Sequence, residues 1–171
     1  MNHRRILVIG NGGSGKSTFS TALGEKLQLP VIHLDQIFWK PGWVSVSADE
    51  FDHRLVEELS KDAWIMDGNY RRTLEMRLKR CDTVVYLDFP RLVCLFNAVT
   101  RVIRYHGKTR PDMGEGCPER IDWEFVKWIW HYNRENREKY RKMIRESTAF
   151  TGYIVHNRKE CRKLIDTLQK K

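Results

Sequence analysis

The sequence predicts a three-layer α/β/α fold: a five-stranded parallel sheet with helices on both faces, in one domain over residues 1–171. Three observations predict it. Short apolar, β-branched runs alternate with stretches whose apolar residues recur at helical spacing. The first run stops at a glycine-rich turn that opens a helix. Three of the runs end in an aspartate, and ligands of doubly wound sheets bind beyond the carboxyl ends of the strands. Such alternation requires crossover connections, which place helices on both faces of the sheet.

The first strand is read over residues 4–9, an apolar run that stops at Gly10. Within Lys16–Leu27 the residues Phe19, Leu23 and Leu27 recur every four positions and direct one helix face to the sheet. Pro30 ends that helix, and residues 31–34 form a second strand finishing at Asp35. A loop rich in aromatics follows, with Phe38, Trp39 and Trp43 around Pro41 and Gly42. Ser47 with Glu50 fits a capping box ahead of the helix stripe Phe51, Leu55 and Leu59. Trp64, Ile65 and Met66 form the third strand, which leads into Asp67 and Gly68.

Residues 71–80 read as a short basic helix, and Thr83–Leu87 as a fourth strand ending at Asp88 before Pro90. Arg91–Tyr105 is helical by pattern. Residues from about 106 to 120 combine Gly and Pro breaks with mixed charge, and predict a mobile lid outside the core. A long helix over about 121–145 carries Ile121, Phe125, Ile129 and Tyr132 on one side. Residues 152–156 supply the fifth strand. Asn157 with Glu160 then caps a last helix with Cys161, Leu164, Ile165 and Leu168 inward.

Composition narrows the function classes. Hydrophobic residues are 41% and charged residues 31% of the chain, a globular balance. The longest apolar runs fall far short of the ~20 residues of a membrane helix, and the N-terminal stretch lacks the long apolar region of a signal peptide. The expectation is a cytoplasmic protein without a membrane partner, as a monomer or homodimer. Cys81, Cys94, Cys117 and Cys161 form no C-x-x-C pair, and His33, His106 and His131 lack metal-ligand spacing, so these read as structural or surface residues. The net charge of +9 is uneven, because residues 101–171 carry 18 Lys and Arg against 10 Asp and Glu. That bias fits an anionic partner: a polyphosphate nucleotide, a phosphorylated substrate or a nucleic acid backbone. Trp123, Trp128 and Trp130 among basic residues could stack bases, but aromatics at helical spacing read first as core, and no nucleic-acid-binding motif accompanies them.

Gly10-Asn11-Gly12-Gly13-Ser14-Gly15-Lys16-Ser17 satisfies G-x-x-x-x-G-K-[ST] after a strand and at the start of a helix. Gly10, Gly12, Gly13 and Gly15 lack a Cβ, so the backbone N–H groups around Ser14 can turn inward and hold an anion. The helix N-terminus adds its partial positive charge. Lys16 is thereby set on the β- and γ-phosphates of ATP, Ser17 becomes a ligand of Mg²⁺, and Thr18 reaches the α-phosphate. Asp67 ends an apolar strand in the manner of a group that holds the Mg²⁺ shell through water. Asp88 admits the same role or a structural one at its turn. Asp35 admits three: general base for an acceptor hydroxyl, helper to Mg²⁺, or structural cap. Trp39 and Trp43 beside it could wall the acceptor pocket.

These segments resemble the adenylate-kinase-related P-loop kinases, most closely the bacterial group of topology modulation proteins. The resemblance rests on the phosphate loop, His33-Leu34-Asp35 with Phe38-Trp39-Lys40-Pro41-Gly42-Trp43, Trp64-Ile65-Met66-Asp67-Gly68-Asn69-Tyr70-Arg71, Leu87-Asp88-Phe89-Pro90 and Thr109-Arg110-Pro111-Asp112. It implies an ATP-dependent phosphotransferase with a small-molecule, nucleoside or nucleotide acceptor. Asp67-Gly68-Asn69-Tyr70-Arg71 stands where adenylate kinases carry Asp-Gly-Phe-Pro-Arg, which implies that Gly68 and Arg71 meet the acceptor. The lid implies Arg101 and Arg104 at its start, Arg110 and Arg120 within it, and Arg134 or Arg137 on the helix behind. Arg101 would then serve the nucleotide, and Arg104, Arg110 and Arg137 the transferring phosphoryl group. The Phe-Pro pair is missing and the Asp35 segment is Trp-rich, which points from AMP toward a hydroxyl acceptor. The family label also implies an effect on DNA topology, so the second reading is a nucleotide-dependent DNA-binding or regulatory protein.

Overall fold

The structure is a computed structural model that describes residues 3–120 and 122–169. Its central sheet contains β1 (Arg5–Gly10), β2 (Val31–His33), β5 (Trp64–Asp67), β6 (Thr83–Leu87) and β7 (Thr151–Val155) in the order β2-β5-β1-β6-β7. Every pairing in it is parallel. The chain leaves β1 toward β2 and β5 on one side and returns to β6 and β7 on the other. The C-terminal end of β1 is therefore the switch point, where a doubly wound sheet opens its crevice.

Both faces of β1 are buried, and the side chains sort by alternation. Leu7 and Ile9 face one layer with Trp64, Met66, Val84 and Tyr86; there α3 (Ala48–Leu59) contributes Phe51, Leu55 and Leu59, and α6 (Trp123–Glu146) contributes Tyr132, Tyr140 and Ile144. Ile6 and Val8 face the other with Ile65, Val85 and Leu87. That layer is covered by Phe19 and Leu23 of α1 (Lys16–Leu27), Cys94 and Ala98 of α5 (Arg91–Tyr105), and Cys161, Leu164, Ile165 and Leu168 of α7 (Arg158–Gln169). The predicted α/β/α layering and five-stranded parallel sheet are present as expected.

Local differences have physical reasons. Helix α1 ends at Leu27 because Gln28 takes a left-handed conformation, φ 55°, and its N–H bonds the Gly24 carbonyl; Pro30 lies beyond that cap. Strand β2 stops at His33. Asp35 therefore stands in the first turn of a short helix, α2 (Leu34–Phe38), and the expected aromatic loop is that helix followed by an antiparallel hairpin, β3 (Trp39–Lys40) with β4 (Val44–Ser45). Ser47 caps α3 by accepting from the Glu50 N–H, but the Glu50 carboxylate turns to Lys40 and Arg54, so the box is only half formed. Residues 71–80 divide into a 3-10 turn (Arg71–Thr73) and α4 (Leu74–Leu78). Asp122 caps α6, and Ile121 lies outside the described residues. Segment 106–120 is held by two isolated bridges, His106 with Glu119 and Thr109 with Pro118. The four cysteines are free and buried.

Candidate functional site

The phosphate loop joins β1 to α1 and is fixed from two sides. Asn11 Nδ2 donates to the Ile129 carbonyl of α6 at 2.9 Å, and Asn97 Nδ2 of α5 donates to the Gly13 carbonyl at 2.9 Å. Gly13 has φ +72°, and a Cβ there would overlap the Cys94 carbonyl oxygen, so glycine is needed both for conformation and for the close approach of α5. Gly15 has φ +87° with open space where its Cβ would stand, an arrangement that leaves its side of the loop free for a ligand. Lys16 Nζ donates to the carbonyls of Gly10 at 3.0 Å and Asn11 at 2.9 Å. Burial pushes its ammonium below the ordinary lysine range, against the opposing pull of Asp67 and Asp35.

At the end of β5, Asp67 meets Ser17 and His33. Ser17 Oγ donates to Asp67 Oδ1 at 3.4 Å, and His33 Nδ1 lies 2.6 Å from Asp67 Oδ2. Burial works to lower the His33 pKa, but the hydrogen bond and charge of Asp67 prevail and raise it. A hydroxyl and a carboxylate are hard oxygen donors, the set that suits a Mg²⁺ ion keeping waters and phosphate oxygens in its remaining positions. No group of three or more His, Cys, Asp or Glu that could hold a metal occurs among the described residues.

Asp35 projects from α2 into the same cleft, where Tyr70 Oη donates to its Oδ1 at 2.6 Å. Burial raises the Asp35 pKa, the Tyr70 bond opposes that rise, and Asp67 adds to it. Burial and the Asp35 charge push the Tyr70 phenol far up, so it remains a donor. The loop that presents Tyr70 is organised by Arg77, whose side chain is fully buried. Arg77 Nη1 donates to the Gly68 carbonyl at 2.9 Å, and Nη2 donates to those of Asn69 at 2.9 Å and Tyr70 at 2.8 Å. Burial lowers its pKa to about 10. Asn69 Oδ1 in turn accepts from the Gly10 N–H and from Tyr132 Oη, tying this loop to the phosphate loop.

Segment 106–120 lies against α2 and the β3–β4 hairpin. Gln36 Nε2 donates to the Pro111 carbonyl at 2.7 Å, Trp43 Nε1 to the Pro118 carbonyl at 3.0 Å, and the Gly42 N–H to the Gly116 carbonyl at 2.8 Å. Within that segment, buried Glu119 holds Arg101 Nη2 of α5 at 2.9 Å and Arg110 Nε at 2.6 Å, and Asp112 takes Arg110 Nη1 at 2.8 Å. Cleft volume is about 1300 Å³, and its wall includes Lys16, Ser17, Asp35, Asp67, Arg101 and Arg110.

The fold thus gathers most of the expected residues: Gly12, Gly13, Gly15, Lys16, Ser17, Thr18, Asp35, Trp39, Trp43, Asp67, Gly68, Arg101, Arg104, Arg110 and Arg120 all line this one cleft. Gly10 and Ser14 shape the loop from below, with Ser14 Oγ donating to the Asn11 carbonyl at 2.7 Å. Three expected residues, Arg71, Arg134 and Arg137, do not line the cleft, which differs from the sequence reading; Arg134 is exposed on α6. Arg137 turns to Asp88, its Nε 2.7 Å from Oδ1, because that carboxylate is fully buried and needs the charge; Arg141 Nη2 takes Oδ2 at 2.6 Å. Asp88 accordingly fastens α6 to the end of β6. Arg71 is exposed on the 3-10 turn and does not line the cleft. Sequence reasoning gave no site role to His33, Asn69, Tyr70 or Arg77. The signal for His33 is the register of β2 on β5, which sets it opposite Asp67.

Among solved structures the chain is similar to shikimate kinase from Bacteroides thetaiotaomicron, with a TM-score of 0.57 at 19% identity over 98% of this chain and 96% of that one. It is likewise similar to shikimate kinase from Acinetobacter baumannii in complex with shikimate, with a TM-score of 0.58 at 19% identity over 98% and 91% of the two chains. Likeness at this identity defines the fold: the P-loop NTPase fold in the form that shikimate kinases share. No protein-family model matches the chain, and no curated protein matches it. No described helix is long and apolar enough to cross a membrane.

Proposed function

We propose that the protein is an ATP-dependent phosphotransferase that moves the γ-phosphoryl group of Mg-ATP to a hydroxyl of a small molecule, nucleoside or nucleotide. One observation carries the reading: Lys16, the Ser17–Asp67 pair and the Tyr70-bonded carboxylate of Asp35 share one cleft beneath an arginine-bearing lid. Phosphoryl transfer asks a protein for positioning and for positive charge around the moving group, and this cleft offers both.

On this reading the loop amides and Lys16 hold the triphosphate, with Lys16 exchanging its two backbone carbonyls for phosphate oxygens. Ser17 and Asp67 would hold Mg²⁺, which neutralises charge on the β- and γ-oxygens when bound. Asp35 takes the proton of the acceptor hydroxyl as that oxygen bonds to the γ-phosphorus; the bond to the β,γ-bridging oxygen breaks and ADP leaves. Arg104 and Arg110 face the phosphoryl group, Arg101 the nucleotide, and Trp39 with Trp43 the acceptor. Those two indoles meet edge-on at 5.5 Å between centroids.

Both of those structural neighbours are shikimate kinases, which favours a hydroxyl acceptor, while the sequence resemblance to topology modulation proteins names no acceptor. The reading is tested by assaying ADP release against a panel of hydroxyl acceptors, including shikimate, nucleosides and nucleotides. An acceptor that stimulates wild type but not Asp35→Asn supports it; an acceptor phosphorylated equally by both removes Asp35 from the chemistry.

A further inference from the structure

Helix α5 turns Cys94 and Ala98 to the core and Asn97 and Arg101 toward the phosphate loop and lid, and its remaining face is apolar and open. Leu92 is 65%, Phe96 69%, Val99 52% and Ile103 73% exposed. Their spacing of four, three and four residues is the seam of a coiled coil, whose partner is another helix. Monomeric proteins rarely leave such a continuous apolar strip in water. Helix α6 packs beside it in the opposite sense, with Arg91 stacked 3.9 Å over the Trp130 ring and Arg101 5.5 Å from Phe125. The exposed indoles of Trp130 and Trp123 on α6 therefore border the same surface.

We infer that this face joins two copies of the chain in an antiparallel, twofold α5–α5 contact. The seam is self-complementary about its middle. An axis between Asn97 and Ala98 sets Leu92 against Ile103 of the second copy and Phe96 against Val99, so that each large side chain meets a smaller or branched one. Antiparallel helices also place opposite dipole ends together. Such a pairing brings Arg91 toward Arg104 of the second copy, but both are drawn aside, Arg91 onto Trp130 and Arg104 into the cleft wall. Side chains of these sizes leave roughly 500–600 Å² of apolar surface on the seam and roughly 800 Å² with the two indoles, the amount per partner of an ordinary stable interface. The contact is independent of what the cleft binds. It would, however, brace the helix that carries Asn97 and Arg101.

Sedimentation velocity of the full chain from 1 to 100 μM is the test, with Phe96→Glu as the variant; Phe96 is exposed, so the charge enters water in the monomer. The inference expects wild type at twice its 20.4 kDa chain mass at the upper concentrations and Phe96→Glu at the chain mass throughout, with an unchanged far-ultraviolet spectrum. Mixed Phe96→Cys and Val99→Cys proteins should form disulfide-linked pairs several-fold faster than either alone. A wild type that remains at the chain mass to 100 μM overturns the inference, as does a dimer that survives Phe96→Glu. A monomer that sediments with phosphatidylglycerol vesicles through this face also overturns it, in favour of a lipid surface.

Discussion

Tyr70 donates a 2.6 Å hydrogen bond to Asp35 from a loop whose three carbonyls are gathered by the buried guanidinium of Arg77. The two sets of bonds form a chain from the fold's interior to the carboxylate proposed as base. Desolvation favours the protonated form of Asp35, whereas the phenol bond favours the ionised form that a base requires. The structure balances one against the other.

Removing the phenol should upset that balance. Tyr70→Phe deletes the contribution that lowers the Asp35 pKa, so the acidic limb of the pH–rate profile should move to higher pH. At pH values on that limb, kcat should fall with KM for ATP unchanged. Steady-state kinetics from pH 5 to 9 check this; an acidic limb in the same place would separate Tyr70 from Asp35.

A stability consequence follows with a definite sign. The folded-state pKa of Asp35 is raised above its unfolded value, so the native state binds more protons and stability falls as pH rises between the two. Asp35→Asn should therefore raise the melting temperature at pH 8, with the gain fading as pH falls through the raised pKa toward about 4 and absent below that. Thermal melts of both proteins across that window provide the comparison.

Arg77 carries a larger cost. Arg77→Met would leave the carbonyls of Gly68 and Asn69 inside the protein without their donor, while that of Tyr70 keeps the N–H and hydroxyl of Thr73. A loss of about 3 kcal/mol or more is expected in urea unfolding, since each buried unmet group costs about 1–3 kcal/mol. Arg77→Lys restores one charged donor and should recover part of the loss.

Arg137 should behave otherwise than a lid arginine. Arg137→Ala leaves Arg141 on Asp88, so stability should drop by about 1 kcal/mol while turnover with any identified acceptor stays within about 2-fold of wild type. Turnover reduced by about two orders of magnitude, with an intact melt, would return Arg137 to the chemistry.

How far the sequence reaches depends on the range of each interaction. The strand-loop-helix unit around Lys16 was legible because its glycines, its lysine and the flanking β1 and α1 patterns are all local. The unbroken apolar run Ile6 to Ile9, stopping at Gly10, likewise announced a buried parallel strand. Asp35 was found by its place after β2, but its setting in α2 was not, since five residues carry too little periodicity to declare a helix. Tyr70, His33 and Arg77 escaped because their roles come from neighbours across the fold: Tyr70 is 35 residues from Asp35 and His33 is 34 from Asp67. Arg137 was misplaced for the same reason. A basic residue on a long helix resembles a solvated charge or a phosphate ligand until Asp88 is known to lie buried beneath it.

The central claim is that the phosphate loop and Lys16 grip the triphosphate of Mg-ATP, and calorimetric titration of the intact protein with Mg-ATP tests it most directly. The prediction is saturable heat at one site per chain, with affinity lowered by about two orders of magnitude or more in Lys16→Ala and weakened by omission of Mg²⁺. Absence of binding by the wild type, or equal binding by Lys16→Ala, would contradict it.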